Sequence, residues 1–285
     1  MKIDLEKSNR KIETFLYKLN LGLQACNFDY KERLMISASS GSDSSALLLG
    51  LKLITKDLNN LSVIHINHKL RENQSDEDAL FLNNFCRNLN IPLLIRSKAI
   101  ACPYTDSISN MEEKLSHIRY DISAFLAKTS NTDTVATGHT MDDNAETVIL
   151  NITRGSGLKG ISGIKRNKKL KSHKTIPSIN VIRPLLKITK REIKEFLKEM
   201  AVNYRTDFSN LDISFSRNRI RHIVIPELEQ LNPKLKESIF RLSQNASGYL
   251  KDSSPSIKKL WESEFVSTSK EKVTIDKSIL NLLPL

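Results

Sequence analysis

Residues 33–50, RLMISASSGSDSSALLLG, decide the fold. The apolar run Leu34–Ile36 predicts a short buried strand, and the apolar residues that follow Ser44 predict a buried helix. The residues between them are small apart from one acid, Asp43. Bare backbone at a helix N-terminus offers N–H donors and the positive end of the helix dipole, which suits a phosphate group. The stretch therefore predicts a strand, a phosphate loop and a helix, or alternatively an ordinary turn capped by serine or aspartate.

Strand-like and helix-like segments alternate through the first 200 residues. The predicted strands are 34–38, 61–67, 92–96, 134–138 and 180–186, and the predicted helices are 11–23, 44–56, 75–89, 111–128, 142–154 and 189–200. This order predicts an α/β fold with a parallel, Rossmann-like sheet of five strands, flanked by helices. Ligands of such sheets lie beyond the carboxyl ends of the strands. Beyond residue 200 the alternation stops, and we expect a linker followed by a small helical domain.

Composition narrows the class of protein. The chain has 285 residues, a net charge of +12 and three cysteines without a CxxC pair. The charge favours a polyanionic partner such as nucleic acid, and the cysteine spacing argues against a disulfide framework or a thiolate metal site. The charged N-terminus is not a signal peptide and no apolar stretch is long enough for a membrane span, so we expect a cytoplasmic protein without a membrane partner. The apolar ending SILNLLPL resembles the start of a helix, which fits either a short form or a truncated chain; the oligomeric state, a homodimer included, stays open.

An acidic cluster opens the predicted helix 142–154. Asp142, Asp143 and Glu146 share one side of its first turn, where they could bind an ammonium group and accept a proton. The alternative is structural, because Thr140 and Asp143 fit a capping box and acids suit the helix N-terminus.

Basic and histidine-containing segments complete the candidates. KRNKKLKSHK (165–174) predicts an exposed loop, either an RNA contact or a solvated charge run. RGSGLKG (154–160) joins a cation to three glycines, of which Gly155 also fits a helix C-cap. His65 and His68 have too few further ligands nearby to indicate a metal site.

Several motifs occur in an order that resembles the tRNA(Ile)-lysidine synthetase family of ATP pyrophosphatases. They are SSGSDS (39–44), HINHKLR (65–71), EEKLSHIRY (112–120), TGHTMDDNAETVILNITRGSGLKGISGI (137–164), IRPLL (182–186) and TDFSNLDISFSRNRIRHIVIPEL (206–228). The resemblance implies an adenine nucleotide alpha hydrolase-like fold, with a catalytic domain over 1–205 and a linker and helical tRNA-binding domain over 206–285. It implies that ATP adenylates the wobble cytidine of the CAU anticodon of tRNA(Ile). Free L-lysine then displaces AMP to form lysidine, so that the tRNA reads AUA as isoleucine instead of AUG as methionine.

The resemblance also implies roles for individual residues. Asp43, Asp142, Asp143 and Arg154 would be catalytic, with Mg²⁺ on Asp43 and a second metal contact from Asp143. The ATP site would include Ser39, Ser40, Gly41, Ser42, Asp43, Ser44, Ser45, His65, Asn67 and His139. Lysine and tRNA would be bound by Glu112, Arg119, Glu146, Arg205, Arg217, Arg219 and Arg221.

The chain departs from the family pattern at two places. Ser40 replaces a glycine, which would cost about 1–2 kcal/mol if its φ were positive. Leu115 and Ser116 replace an Ala-Arg pair, which removes one cation. The remaining alternatives are an adenylating enzyme of the same fold with another acceptor and a non-catalytic RNA-binding protein. A tRNA thiolase would need paired cysteines, which the sequence does not have, and an amidotransferase-coupled synthetase would lack the segment from DFSN to RNRIR (207–221).

Overall fold

The computed structural model describes residues 9–55, 60–67, 72–97, 111–170, 177–205, 212–261, 266–268 and 273–275. Within these ranges the backbone alone is described for 72–74, 97, 111–117, 252–261, 266–268, 273 and 275. Glu112 therefore has no described side chain, and His68 and Cys102 lie outside the described residues.

A mostly parallel sheet forms the centre of the molecule and confirms the α/β prediction. Its strands are β1 (Leu34–Ser37), β2 (Leu61–Asn67), β3 (Leu93–Ser97), β4 (Thr134–Thr137), β5 (Asn167–Leu170) and β6 (Ile179–Ile182). Their order across the sheet is β3-β2-β1-β4-β6-β5, and only β5 runs antiparallel. Because β1 and β4 are parallel neighbours in the centre of the sheet, the loops that follow them meet at the carboxyl ends of the strands.

The sheet has six strands, whereas the sequence predicted five. The extra strand β5 lies inside the basic segment that was predicted to be a loop, and it pairs with β6 from Asn167↔Ile182 to Leu170↔Ile179. It is an edge strand with exposed lysines, a common way to protect a sheet edge from further pairing. The predicted strand 180–186 ends earlier, because Pro184 begins a 3₁₀ helix over Pro184–Lys187.

Helices cover both faces of the sheet. They are α1 (Arg10–Ala25), α2 (Ser42–Ile54), α3 (Glu72–Leu89), α4 (Met111–Thr129), α5 (Met141–Thr153), α6 (Leu158–Ile161) and α7 (Lys190–Glu199). One core combines α1, α2, α3 and α7, and within it Phe15 stacks on Phe196 with ring centroids 3.9 Å apart. A second core joins α4 to the other face of the sheet. α2 is buried along most of its length, as its apolar sequence predicted.

Helices follow the sheet in the C-terminal part, as predicted. They are α8 (Ser216–Arg219), a π-helical turn over Ile220–Val224, α9 (Ile225–Leu231) and α10 (Leu235–Trp261). α10 packs on α5, where buried Ser243 accepts a hydrogen bond from Asn144 at 3.1 Å. Two short strands, β7 (Val266–Thr268) and β8 (Val273–Ile275), pair antiparallel. The domain boundary after residue 205 borders residues outside the description and stays a prediction.

None of the helices in the described ranges combines the length and the apolar character that a membrane crossing requires.

Candidate active site

The predicted phosphate loop lies between β1 and α2 and is stiffened by its own hydroxyls. Ser44 Oγ donates to Ser39 O at 2.6 Å and accepts from Ser39 N at 3.1 Å. Gly41 caps α2 with φ −75°, and no side chain caps the helix, so its first N–H groups remain available to an anion. Ser40 does not have a positive φ, so the strain considered for this replacement is absent.

Gly138 allows the end of β4 to approach this loop closely. A Cβ atom at this position would lie 3.2 Å from both Asp43 C and Ser44 N, tighter than most such contacts. The glycine therefore brings the residues that follow β4 against the start of α2.

Asp43 is the acid of the loop and is partly buried. Ser42 Oγ donates to its Oδ1 at 3.0 Å, and Lys190 Nζ lies 3.8 Å from its Oδ2. Burial raises the pKa of Asp43 to about 6, with neighbouring Asp143 acting in the same direction and Lys190 opposing it. A cation placed beside such a carboxylate would strongly stabilise its ionised form.

Asp143 has both a structural and an electrostatic role. It forms a capping box with Thr140, whose N and Oγ1 each donate to Asp143 Oδ2 at 2.8 Å. Lys190 Nζ lies 3.3 Å from the other oxygen. Burial alone would raise the pKa of Asp143, but Lys190 and Arg217 outweigh it and hold the pKa below its usual range. Asp143 is therefore an ionised partner for cations.

Asp142 also has protein partners on both oxygens. Lys190 N donates to Oδ2 at 2.8 Å, and Lys236 Nζ lies 2.8 Å from Oδ1. Lys236 comes from α10 and also contacts Glu229 at 3.1 Å. The carboxylates that the sequence assigned to an amine substrate thus already hold ammonium groups of the protein.

Sequence reasoning missed Lys190 and Lys236. Lys190 Nζ lies between Asp43 and Asp143, so it connects the phosphate loop to the acidic cluster. The pKa of Lys190 is raised, because its carboxylate neighbours outweigh the effect of burial. Its place at the start of α7, four residues after the segment IRPLL (182–186), was the available signal. Nothing in the local sequence marks Lys236.

Glu146 is the most deeply buried acid of the cluster, with its side chain 1% exposed. Arg217 Nε donates to it at 2.9 Å, and Arg221 donates from Nε and Nη2. Two arginines assigned to tRNA and one acid assigned to lysine thus form a single ion-pair cluster.

The predicted nucleotide-pocket residues His65 and Asn67 lie at the end of strand β2, and His139 follows β4. His65 Nδ1 lies 3.0 Å from Ala38 O, and since a carbonyl only accepts, this nitrogen carries the proton. Asn67 donates to Asp76 at 3.0 Å. His139 Nδ1 lies 2.8 Å from Thr137 Oγ1. Burial, with Arg183 nearby, lowers the pKa of His139 to about 3, so its ring is neutral at neutral pH. Ser45 is fully buried, and its hydroxyl has no partner among the described residues.

Arg119 lies beside this pocket together with Arg183, which sequence reasoning did not single out. Arg183 is buried and donates to Tyr120 Oη at 3.1 Å and to Lys165 O at 2.7 Å. The Nε atoms of Arg119 and Arg183 are buried without a partner in the described part of the chain. Two guanidinium groups close enough to His139 to lower its pKa favour an anionic ligand near these residues.

Three predicted residues are not brought into the cluster. Arg154 is exposed at the far end of α5, about 18 Å along the helix from Asp142. Arg205 pairs with Glu77 at 2.7 Å and Asp78 at 2.6 Å, although its N–H donates to Ser40 O in the phosphate loop. Arg219 is exposed.

The donor set for a magnesium ion is small. In the described ranges no three histidine, cysteine or acidic side chains come together as a metal cage. Mg²⁺ is commonly held by one or two carboxylates plus phosphates, and Asp43 beside the phosphate loop fits that mode. Asp143 fits less well, since Thr140 and Lys190 already use its oxygens.

Comparisons with known proteins identify relatives of this chain. The PP-loop domain family matches residues 5–228. A tRNA(Ile)-lysidine synthase from Porphyromonas gingivalis is 37% identical over 217 residues, which are 75% of this chain and 44% of the relative. Another from Chlorobaculum tepidum is 34% identical over 240 residues, 84% of this chain and 69% of the relative. The chain thus spans less than half of the first of these relatives.

A solved structure shows the same fold. A U34-tRNA thiolase from Methanococcus maripaludis superposes with a TM-score of 0.65 at 21% identity, covering 82% of this chain and 79% of the other.

Proposed function

The chain belongs to the tRNA(Ile)-lysidine synthase family of PP-loop proteins, and on this premise we propose that it uses ATP to join lysine to the wobble cytidine of a tRNA(Ile) with a CAU anticodon. The observation that carries the proposal is Lys190, whose ammonium lies between Asp43 of the phosphate loop and Asp143 of α5. This contact joins a site for phosphates to a site for an amine, and the reaction needs both.

The phosphate loop and Lys190 would act in the first step. The N–H groups at the start of α2 would hold the β and γ phosphates of ATP, and Lys190 would balance their charge. The carbonyl oxygen of cytosine attacks the α-phosphorus, and the bond to pyrophosphate breaks. Mg²⁺ held by Asp43 would supply further charge neutralisation for the leaving pyrophosphate.

The acidic cluster would act in the second step. The ammonium group of lysine would approach Asp142 and Asp143. Asp142 would take the proton that the amine must lose, because the lowered pKa of Asp143 makes it the weaker base. The free amine then attacks the activated ring carbon of cytosine, the new C–N bond forms, and AMP leaves with the former carbonyl oxygen. Neutral His139, whose pKa is lowered to about 3, would serve as a hydrogen-bonding group rather than a cation.

Glu146 would act through its arginines and not by touching lysine. Because Arg217 and Arg221 use both of its oxygens, Glu146 would hold these cations at the mouth of the site. In our proposal they face the tRNA backbone, together with exposed Arg154 and Arg219. Arg119 and Arg183, which both act on the pKa of His139, would serve the anionic groups of ATP or of the adenylate.

Transfer of radiolabelled lysine to a tRNA(Ile) transcript, with ATP present, tests the proposal. We expect transfer by the wild-type chain and a loss of at least about 100-fold in Asp43→Asn, since one charged group in such a site typically contributes that much. Asp133→Asn is a matched control, because this exposed acid precedes β4 at the opposite end of the sheet. Binding of tRNA without lysine transfer or ATP consumption would instead support the non-catalytic RNA-binding alternative.

The structurally similar protein is named as a tRNA thiolase. The described part of this chain has no thiol suited to sulfur transfer. Cys26 and Cys86 are buried, and burial raises the pKa of both thiols, that of Cys86 to about 12. Such thiols are poor nucleophiles.

A further inference from the structure

The segment from Phe215 to Ile223 has two distinct sides. Arg217 and Arg221 are four residues apart and both bind buried Glu146. Phe215 and Arg219 are also four residues apart, and Arg219 N donates to Phe215 O at 3.0 Å, which places them one helical turn apart. Residues four apart share a side of a helix, whereas residues two apart do not. Phe215, Arg219 and Ile223 therefore form a row, here called the Phe215 face, on the side away from Glu146.

The Phe215 face is exposed. Phe215 is 60% exposed and Ile223 is 42% exposed, and Ile213 just before them is 54% exposed. Arg219 is exposed, and in the ranges that the structure describes it has no ion-pair partner. Large apolar side chains grouped around an unpaired cation are typical of an interaction surface.

We propose that the Phe215 face binds an unpaired stretch of RNA, with one base stacked on the ring of Phe215 and a neighbouring phosphate bound by Arg219. This inference rests on the proposed function, which supplies the RNA. Unpaired bases are recognised by stacking on aromatic rings, and the guanidinium fork of arginine matches a phosphate. The net charge of +12 is complementary to this partner.

The position of the face specifies which nucleotide it takes. One helical segment separates Phe215 from Glu146, and a helix with its side chains is about 10–12 Å across. A base on Phe215 therefore lies beside the acidic cluster but outside it. The stacked base belongs to a neighbour of the target cytidine in the same loop, and the contact would fix the direction in which that loop enters the site.

An anticodon stem-loop RNA with 2-aminopurine next to the target cytidine tests this inference. Fluorescence reports stacking of that base, and anisotropy of an end label reports affinity. We expect Phe215→Ala to weaken binding by about 5- to 150-fold and to abolish the stacking signal, whereas Phe215→Trp retains both. We expect Arg219→Gln to weaken binding and to reduce the slope of log affinity against log salt by about one.

Phe125→Ala provides the matched control. Phe125 is an aromatic side chain on α4 that is 55% exposed, similar to Phe215. Unchanged affinity of Phe125→Ala, together with weakened binding of Phe215→Ala, supports the inference. Equal affinity of Phe215→Ala and the wild type overturns it.

Lysine transfer, measured separately, distinguishes this inference from the proposed function. If the wild type transfers lysine and Phe215→Ala binds RNA normally, the inference fails while the function stands. If the wild type transfers no lysine but Phe215→Ala loses RNA binding and stacking, the inference stands and the function fails. If sedimentation shows a wild-type dimer that Phe215→Ala dissociates without a change in RNA affinity, the face joins two copies of the chain and the inference is wrong.

Discussion

Arg221 donates two hydrogen bonds to Glu146, from Nε at 2.6 Å and from Nη2 at 2.8 Å. Arg217 adds a third at 2.9 Å. Because Glu146 is on α5 and the arginines lie on α8 and the π-helical turn, these bonds connect the C-terminal helices to the candidate site at the carboxyl ends of the strands. The acid is buried, so the connection is protected from solvent and from salt screening.

Glu146→Gln should destabilise the protein strongly. The substitution removes the nearest counter-charge of two partly buried guanidinium groups and leaves them only Asp143, whose Oδ1 lies 3.7 Å from each. Breaking a buried ion pair in this way costs about 3–5 kcal/mol. The free energy of unfolding from urea titration measures the effect. Arg219→Gln is the control, because Arg219 is exposed and has no ion pair with any residue that the structure describes. Its substitution should change the free energy of unfolding by less than about 0.5 kcal/mol. A loss below about 1 kcal/mol for Glu146→Gln would show that the pair contributes little net energy.

Asp43 should make the protein less stable as the pH rises through about 6. A carboxyl whose pKa is raised in the folded state binds its proton more tightly there than in the unfolded chain. The stabilisation is therefore present at low pH and is lost as the pH passes the folded pKa. Between about pH 4.5 and 7 this group alone should remove about 2 kcal/mol of the free energy of unfolding.

Comparison of the wild type with Asp43→Asn isolates that contribution. The variant cannot ionise, so its stability should exceed that of the wild type more at pH 7 than at pH 4.5. Asp143, whose pKa is lowered, titrates below this window in the folded protein and is present in both. A pH-independent difference between the two proteins would mean that Asp43 titrates normally.

The part of the fold that sequence predicted well is the part determined by local pattern. The strand Leu34–Ser37, the small residues after it and the apolar helix α2 are contiguous, so their geometry follows from propensity and helix-end chemistry alone. The effect of Ser40 was harder to predict, because any strain there depends on a backbone φ angle that the residue type does not determine. The lysine-rich strand β5 was missed, since its pairing with β6 depends on a partner and not on its own hydrophobicity.

The candidate site was predictable in its acids but not in their partners. Asp43 and Asp143 follow β1 and β4, and neighbouring parallel strands bring such residues together. Lys190 and Lys236 come from helices far along the chain, and a lysine in a basic sequence carries no local mark of burial. The sequence assigned Glu146 to lysine binding, and only the fold shows that Arg217 and Arg221 bind it instead.

Three glycines near the end of α5 should respond differently to alanine. Gly163 has φ +63°, and a Cβ there would lie 2.3 Å from Asn144 Oδ1, which accepts from Ile164 N. Gly155 has φ +71° but open space around it, and Gly157 has φ −74° with open space as well. We expect losses of more than about 2 kcal/mol at Gly163, about 1–2 kcal/mol at Gly155 and a few tenths at Gly157. Thermal melting of the three variants gives the order, and equal losses at Gly155 and Gly163 would show that Asn144 yields without cost.

Lys236→Met should tighten the binding of substrate lysine if Asp142 receives its ammonium group. Lys236 Nζ lies 2.8 Å from Asp142 Oδ1 and competes for that oxygen, while Glu229 at 3.1 Å offers the side chain a second partner when it is displaced. A preference of about 1.4 kcal/mol for the internal pair would lower the apparent affinity for lysine about tenfold, and the variant would recover it.

The KM for lysine in the transfer assay measures this effect. Lys234→Met is the control. Lys234 is exposed and lies two residues before Lys236, just ahead of α10, so its substitution should leave the KM for lysine unchanged. A raised KM in Lys236→Met would mean that Lys236 supports the lysine site instead of competing for it, and Asp142 would then lose its assignment to the ammonium group.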